Sequence, residues 1–193
     1  MRAFLAITLP TDIQDALSDL QQTLAASQAT VTWVAPDHLH VTLKFLGSIT
    51  EERRRAVAAM LRRAAQHEEP FPLGVDGGVG AFPSMTAPRV IWVGLATGKD
   101  VVTRLAASIE REGEALAFAK DERPFAAHVT LGRVRSPKHR HALVRALQEC
   151  AWKAPAPWRV TSLTLYQSIL GSGGPTYRVL DDAPLRAEIG GAS

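Results

Sequence analysis

One cysteine, Cys150, stands among 193 residues, which excludes an intramolecular disulfide and a cysteine-based zinc site and fits a reducing compartment. Long apolar runs are missing too. The opening stretch from Met1 to Pro10 is too short in its hydrophobic part for a secretory signal and lacks a small-residue cleavage site. No later stretch is long enough to cross a bilayer, so a cytoplasmic protein is expected. Charge of one sign is scarce: 22 Lys and Arg face 19 Asp and Glu, a net +3 with pI ≈ 9.3. That balance mildly favours a polyanionic partner without identifying one. There is no G-x-S-x-G nucleophile elbow, and Gly74, Gly77, Gly78 and Gly80 form no dinucleotide-binding fingerprint, reading instead as turns and bulges. What is present, 46% apolar and 21% charged residues, suits one folded domain or two small lobes sharing an interface.

The chain repeats itself. A strand is predicted over Phe4 to Leu9, with Thr11 and Gln14 spaced as a capping box for the helix that follows. Ile13, Leu17, Leu20 and Leu24 give that helix one buried face. A short segment from Thr30 to Val34 and a strand from His38 to Leu46 come next, closed by Gly47. A second helix, capped at Ser48 or Thr50, carries Val57, Leu61 and Ala64 inward. Adding 88 to each position recovers the order: a strand from Val90 to Ala96, a helix over 100–115, a strand from His128 to Arg135, and a helix from about residue 138 capped by Ser136. Extended segments follow in both halves, Phe71 to Val79 in the first, Val160 to Ser168 and Tyr177 to Leu180 in the second. The expectation is an α+β fold over 1–193, a single bilobal domain with an internal duplication. Each lobe should be a small, mostly antiparallel sheet backed by helices, with a pseudo-twofold axis and a shared cleft between them.

The same tetrapeptide, His-Val-Thr-Leu, occurs at 40–43 and 128–131, where composition would supply roughly 0.004 by chance. Repeating a good strand sequence would account for Val and Leu, but a purely structural strand has no need of the same polar pair twice. Strand alternation sends His40 and Thr42 to one face and Val41 and Leu43 to the other, and likewise for His128 and Thr130. Two such polar faces opposed would surround a tetrahedral anion. Imidazoles near their ordinary pKa can act as one acid and one base, and threonine hydroxyls can donate to non-bridging phosphoryl oxygens. No other nucleophile stands out, so water attacks, in line, with no metal or other cofactor called for. This chemistry leaves the two histidines interchangeable in role.

At these residues the chain resembles the two-histidine (2H) phosphoesterase superfamily, and within it the bacterial and archaeal RNA 2′,3′-cyclic phosphodiesterases formerly called 2′-5′ RNA ligases. The likeness runs from Arg2-Ala3-Phe4-Leu5-Ala6-Ile7 through Trp33-Val34 to Leu46-Gly47, then Arg89 to Gly94, and on to Leu165-Tyr166-Gln167-Ser168, Gly173-Gly174 and Tyr177. The resemblance implies hydrolysis of a 2′,3′-cyclic phosphate on an RNA end or nucleotide to a 2′-phosphomonoester, with His40 donating a proton to the leaving O3′ and His128 accepting one from water. It also implies a phosphate contact from Arg133, two residues past the second tetrapeptide. Nominal strand parity points Arg133 away from the cleft, so it arrives there only if the strand twists or bulges. The family's pattern is broken at Ala126-Ala127, where relatives commonly carry Arg-Pro, a basic contact this chain lacks. Ligation of RNA halves through a 2′-5′ linkage, and a non-catalytic nucleotide-binding module, are the alternatives.

Other features have plainer readings. His38 and His40 could form a His-x-His metal pair, but no third ligand follows at a suitable spacing. The arginines at 53–55, 62 and 63, with Lys138 and Arg140, could rim an RNA site; Glu51, Glu52, Glu68 and Glu69 beside them favour a solvated helix face. Among the aromatics, Phe45 and Trp92 read as core, and Tyr166 is the choice for stacking on a base. A monomer is expected.

Overall fold

The chain alternates strand and helix twice, as its hydrophobic periods require. The computed structural model describes residues 1–171 and 174–187, so Gly173 of the motif at 173–174 lies outside the described residues. The elements in order are β1 (Arg2–Thr8), α1 (Thr11–Ala25), β2 (Val31–Trp33), a 3-10 turn at Pro36–His38, β3 (His40–Ser48), α2 (Glu51–Ala65), β4 (Phe71–Leu73) and β5 (Val75–Phe82). There follow β6 (Val90–Leu95), α3 (Lys99–Ala115), β7 (His128–Val134), α4 (Arg140–Gln148), β8 (Trp158–Val160), β9 (Ser162–Gly171) and β10 (Gly174–Pro184). The fold is α+β, and among the described residues no helix is long and apolar enough to cross a membrane.

Seven strands run in the order β10-β9-β1-β3-β7-β6-β5, every neighbour antiparallel, and β2 pairs with β7. β3 and β7 meet at a single register pair, Val41 with Val129, so the sheet divides there into two lobes. The lobes are not the two halves of the sequence. β5, from the first half, pairs with β6, and β9, from the second, pairs with β1. The helices exchange likewise: α1 packs on β7 and α4, and α3 on β3 and α2. Where the chain crosses over, β4 pairs with β8, Phe71 opposite Val160. Each lobe therefore needs both halves of the chain to complete its sheet.

One face of the sheet is apolar because alternate residues of the central strands are. Leu5, Ile7, Val41, Leu43, Ile91, Val93, Val129 and Leu131 are all buried, together with Ile13, Leu17, Leu20, Val57, Leu61, Leu105 and Ile109 of the helices. At three helix starts the capping expectation meets different outcomes. Pro10, extended, precedes the first turn of α1, and Gln14 Nε2 donates to Leu9 O, so Thr11 is helical and does not cap. Ser136 accepts from Lys138 N–H in a turn, and α4 begins only at Arg140, after His139 in a left-handed conformation. Thr50 does cap α2, accepting from Arg53 N–H at 3.2 Å.

Candidate active site

The polar residues of both tetrapeptides face the side of the sheet away from the helices. Val41 opposite Val129 fixes the rest: in an antiparallel pair the residues one step away oppose each other, so His40 lies across from Thr130 and Thr42 across from His128. The four side chains form a square with the imidazoles at diagonal corners. Each ring is held the same way. His40 Nδ1 is 2.7 Å from His38 O, and His128 Nδ1 is 2.6 Å from Ala126 O. A carbonyl can only accept, so in both rings Nδ1 carries the hydrogen and Nε2 is left to exchange protons with a ligand.

Burial pushes the pKa of both rings below the usual histidine value of 6.5; their carbonyl partners oppose the shift, while the charges of His38 and His128 lower His40 further and that of Arg133 lowers His128 further. Both are thus neutral near pH 7 until an anion arrives to favour the charged form. A histidine whose folded pKa lies below its unfolded value stabilises the fold above pH 6.5 and loses that contribution as pH falls through the folded pKa. Replacing both rings with asparagine is expected to reduce the fall in Tm between pH 7 and pH 5. An unchanged fall in thermal melts would show that neither ring is buried neutral.

Alternation along the motif strands is broken just after the threonines. On β3, Ala6 pairs with Thr42 but Leu5 with Lys44, leaving Leu43 as an extra residue; on β7, Trp92 pairs with Thr130 and Ile91 with Gly132, leaving Leu131 extra. These are β-bulges, and each delays the alternation by one residue. Lys44 and Gly132 therefore turn inward, whereas Phe45 and Arg133 turn to the cleft face. The second bulge is fastened from behind: Leu131 O accepts from Val34 N–H at 2.9 Å and from the buried Gln21 side chain at 2.8 Å. Arg133 thus reaches the cleft by the bulge that strand parity demanded.

A cavity of about 530 Å³ opens on this face, walled by His38, His40, Thr42 and Thr130, by Phe45, Tyr177 and Arg133, and by the stretch from Thr32 to Ala35 with Arg135. His128 is not part of that wall, and its ring sits against the edges of Phe82 and Trp92, with centroids 5.3 and 6.1 Å away. Arg133 links the two, its positive charge acting on both His128 and Tyr177.

The chain matches the family model described as LigT like Phosphoesterase twice, over residues 7–92 and again over 93–177. The chain belongs to the LigT-like phosphoesterase family. It is 33% identical over 177 residues to an RNA 2′,3′-cyclic phosphodiesterase of Methanothermobacter thermautotrophicus, covering 92% of this chain and 95% of the relative. In structure it is similar to TT0787 of Thermus thermophilus, with TM-score 0.77 and 30% identity over 97% of this chain and all of that one. It is also similar to E. coli LigT complexed with 3′-AMP, with TM-score 0.76 and 26% identity over 95% of this chain and 97% of that one.

Within this LigT-like site three aromatic assignments differ from the sequence reading. Phe45 is 64% exposed and walls the cavity, because the bulge at Leu43 turns it outward. Tyr166 does not wall the cavity: its hydroxyl is 2.7 Å from Thr8 Oγ1 and its ring stacks on Phe4 at 5.3 Å. Phe4 in turn lies 4.9 Å from His40, so Tyr166 supports the histidine from one layer behind. Tyr177 takes the position at the cavity, 5.5 Å from His40 and 4.5 Å from His38, with burial raising the pKa of its phenol. Trp92 is half-buried beside Thr130 and His128, its ring lying over Gly80, where any Cβ would meet it at 2.2 Å.

The arginines of α2 do not wall the cavity. Arg54 pairs with Glu51, its neighbour on the helix, whereas Arg62 pairs with Asp181 of β10 and Arg63 with Glu112 of α3. Among the described residues no group of three or more His, Cys, Asp or Glu is placed to share a metal ion; His38 has Asp37 at 3.8 Å and the Tyr177 ring at 4.5 Å. The 88-residue offset holds for the motif strands, but the edge register does not follow it. Thr8 pairs with His40 and Gly94 with His128, a spacing of 86 that places Trp92 where the first lobe has Ala6. Applied to Arg133, the motif offset points to Phe45, a signal in the sequence for the residue it missed.

Proposed function

We propose that this protein hydrolyses the 2′,3′-cyclic phosphate at the end of an RNA to a 2′-phosphomonoester, with His40 as general acid and His128 as general base. The observation that carries this is the pair of imidazoles on diagonal corners, each with Nδ1 tied to the carbonyl two residues earlier and, among the described residues, no hydrogen-bond partner at Nε2. A phosphorus seated over the square has one ring on each side. His128 Nε2 takes a proton from water as its oxygen bonds to phosphorus; His40 Nε2–H gives a proton to O3′ as the P–O3′ bond breaks. Thr42 and Thr130 donate to the non-bridging oxygens, and Arg133 stabilises the charge that builds on them. Phe45 and Tyr177 offer ring faces to the base, and Tyr166 holds Phe4 against His40. The relative from M. thermautotrophicus is named for this activity, and the similar E. coli LigT structure holds 3′-AMP. The acting unit is one bilobal domain over 1–193 with internal duplication, a monomer of the cytoplasm, and no metal or cofactor enters the chemistry.

Incubating an adenosine 2′,3′-cyclic phosphate with the protein in excess EDTA should yield adenosine 2′-phosphate. A 3′-phosphate product would reverse the leaving group, and activity lost in EDTA but restored by a divalent ion would replace the two-histidine mechanism.

A further inference from the structure

The cavity extends beyond what a single phosphate requires. Its wall includes Arg135 as well as Arg133 and, among the described residues, no acidic one. Pairing continues past the end of β7, since Arg135 N–H donates to Thr30 O at 2.8 Å, so Arg133 and Arg135 lie two residues apart on extended backbone. That spacing is roughly 6.7 Å along the strand. Arg135 Nε donates to Thr32 Oγ1 at 2.9 Å, which orients the guanidinium and leaves its terminal nitrogens to other acceptors. Among the described residues neither Arg133 nor Arg135 pairs with a carboxylate, whereas Arg54, Arg62, Arg63 and Arg104 all do. Two guanidiniums turned to one cavity without internal carboxylate partners fit more than one anionic group.

Their tasks differ. The charge of Arg133 is felt by His128 and Tyr177, at the reacting centre, whereas Arg135 lies two residues further along the extended chain. On an RNA that ends in a cyclic phosphate, every other phosphate lies on the 5′ side, and the nearest is one ribose away, a separation comparable to that between two same-face residues of a strand. We propose that Arg135 anchors the 5′ phosphate of the terminal nucleotide, so that the site favours RNA ends over free cyclic nucleosides. This rests on the cyclic phosphodiesterase reading given above. Thr32 acts as a positioning residue for that anchor, holding Nε while the terminal nitrogens meet the phosphate.

The test compares kcat/KM for adenosine 2′,3′-cyclic phosphate, the same compound bearing a 5′-phosphate, and a dinucleotide ending in the cyclic phosphate. The wild type should prefer the second and third by about tenfold, the size of one charged contact at a partly exposed site. Arg135→Gln should abolish that preference, and Arg135→Lys should keep most of it. The salt dependence for the dinucleotide should lose about 0.7 from its log–log slope in Arg135→Gln, one phosphate contact on a single strand. A preference that survives Arg135→Gln, or a loss equal on all three substrates, overturns the anchor while leaving the phosphodiesterase reading intact. Failure of the wild type to hydrolyse any of the three overturns both.

Discussion

Alanine at His40 or at His128 is expected to lower kcat/KM for a 2′,3′-cyclic phosphate by about 10²–10⁴-fold, the usual contribution of a positioned general acid or base. Changing both should cost little more than the worse single change, because the two rings serve one transition state. His40 and His128 are both only partly buried, so the variants should stay folded and the loss should fall on kcat. The two roles can be separated by the leaving group. A substrate with an activated aryl leaving group departs without a proton, so His40→Ala should hurt it far less than His128→Ala. The opposite ranking would exchange acid and base, and full turnover by both single variants would make the cleft a binding site only.

The largest expected effect on stability lies behind the site, at Lys44. The bulge at Leu43 turns this side chain inward, where it is 1% exposed. It survives there because Nζ donates to Glu110 Oε2 at 2.6 Å and to Ala119 O at 3.2 Å, with Asp121 at 3.8 Å. Glu110 Oε1 also accepts from Asp121 N–H, tying α3 to the segment that leads towards His128. Burial acts to raise the Glu110 pKa, but the Lys44 hydrogen bond and the contacts from Asp121 and Lys120 outweigh it and leave it lowered. Glu110→Ala would leave a buried ammonium held only by Ala119 O at 3.2 Å and by Asp121 at 3.8 Å, and should cost about 3 kcal/mol in urea unfolding. Adding Lys44→Met should recover much of this, since an uncompensated charge is then no longer buried. If Glu110→Ala costs under about 0.5 kcal/mol, the ion pair behaves as an exposed one.

Much of the site was legible because the tetrapeptides encode both chemistry and strand parity. His40, Thr42, His128 and Thr130 share the cleft face for the reason alternation gives, and the hydrophobic periods of the helices gave their buried faces. Alternation failed where each motif strand inserts a residue just after its threonine, Leu43 on β3 and Leu131 on β7. Phe45 reads as core from the sequence, yet it lies on the cavity wall, and Arg133 reaches the cleft only through the matching insertion at Leu131. Tyr166, on β9, is captured by Thr8 and Phe4, while Tyr177, on β10 at the sheet edge, reaches back to His38 and His40. Distances of that kind depend on how strands stack sideways, which local sequence does not specify.

By itself the sequence determined two strand-borne His-x-Thr pairs, the α+β order of elements and the twofold repetition, since side-chain period and composition are local properties of the chain. Only the tertiary structure decided that each half completes the other's lobe, that the imidazoles stand at diagonal corners about Val41 and Val129, and that Phe45, Tyr177, Arg133 and Arg135 share one cavity. Those outcomes rest on pairings between residues from opposite ends of the chain, such as Phe4 with Tyr166, and on bulges whose position is set by the partner strand and by the Gln21 hydrogen bond behind it.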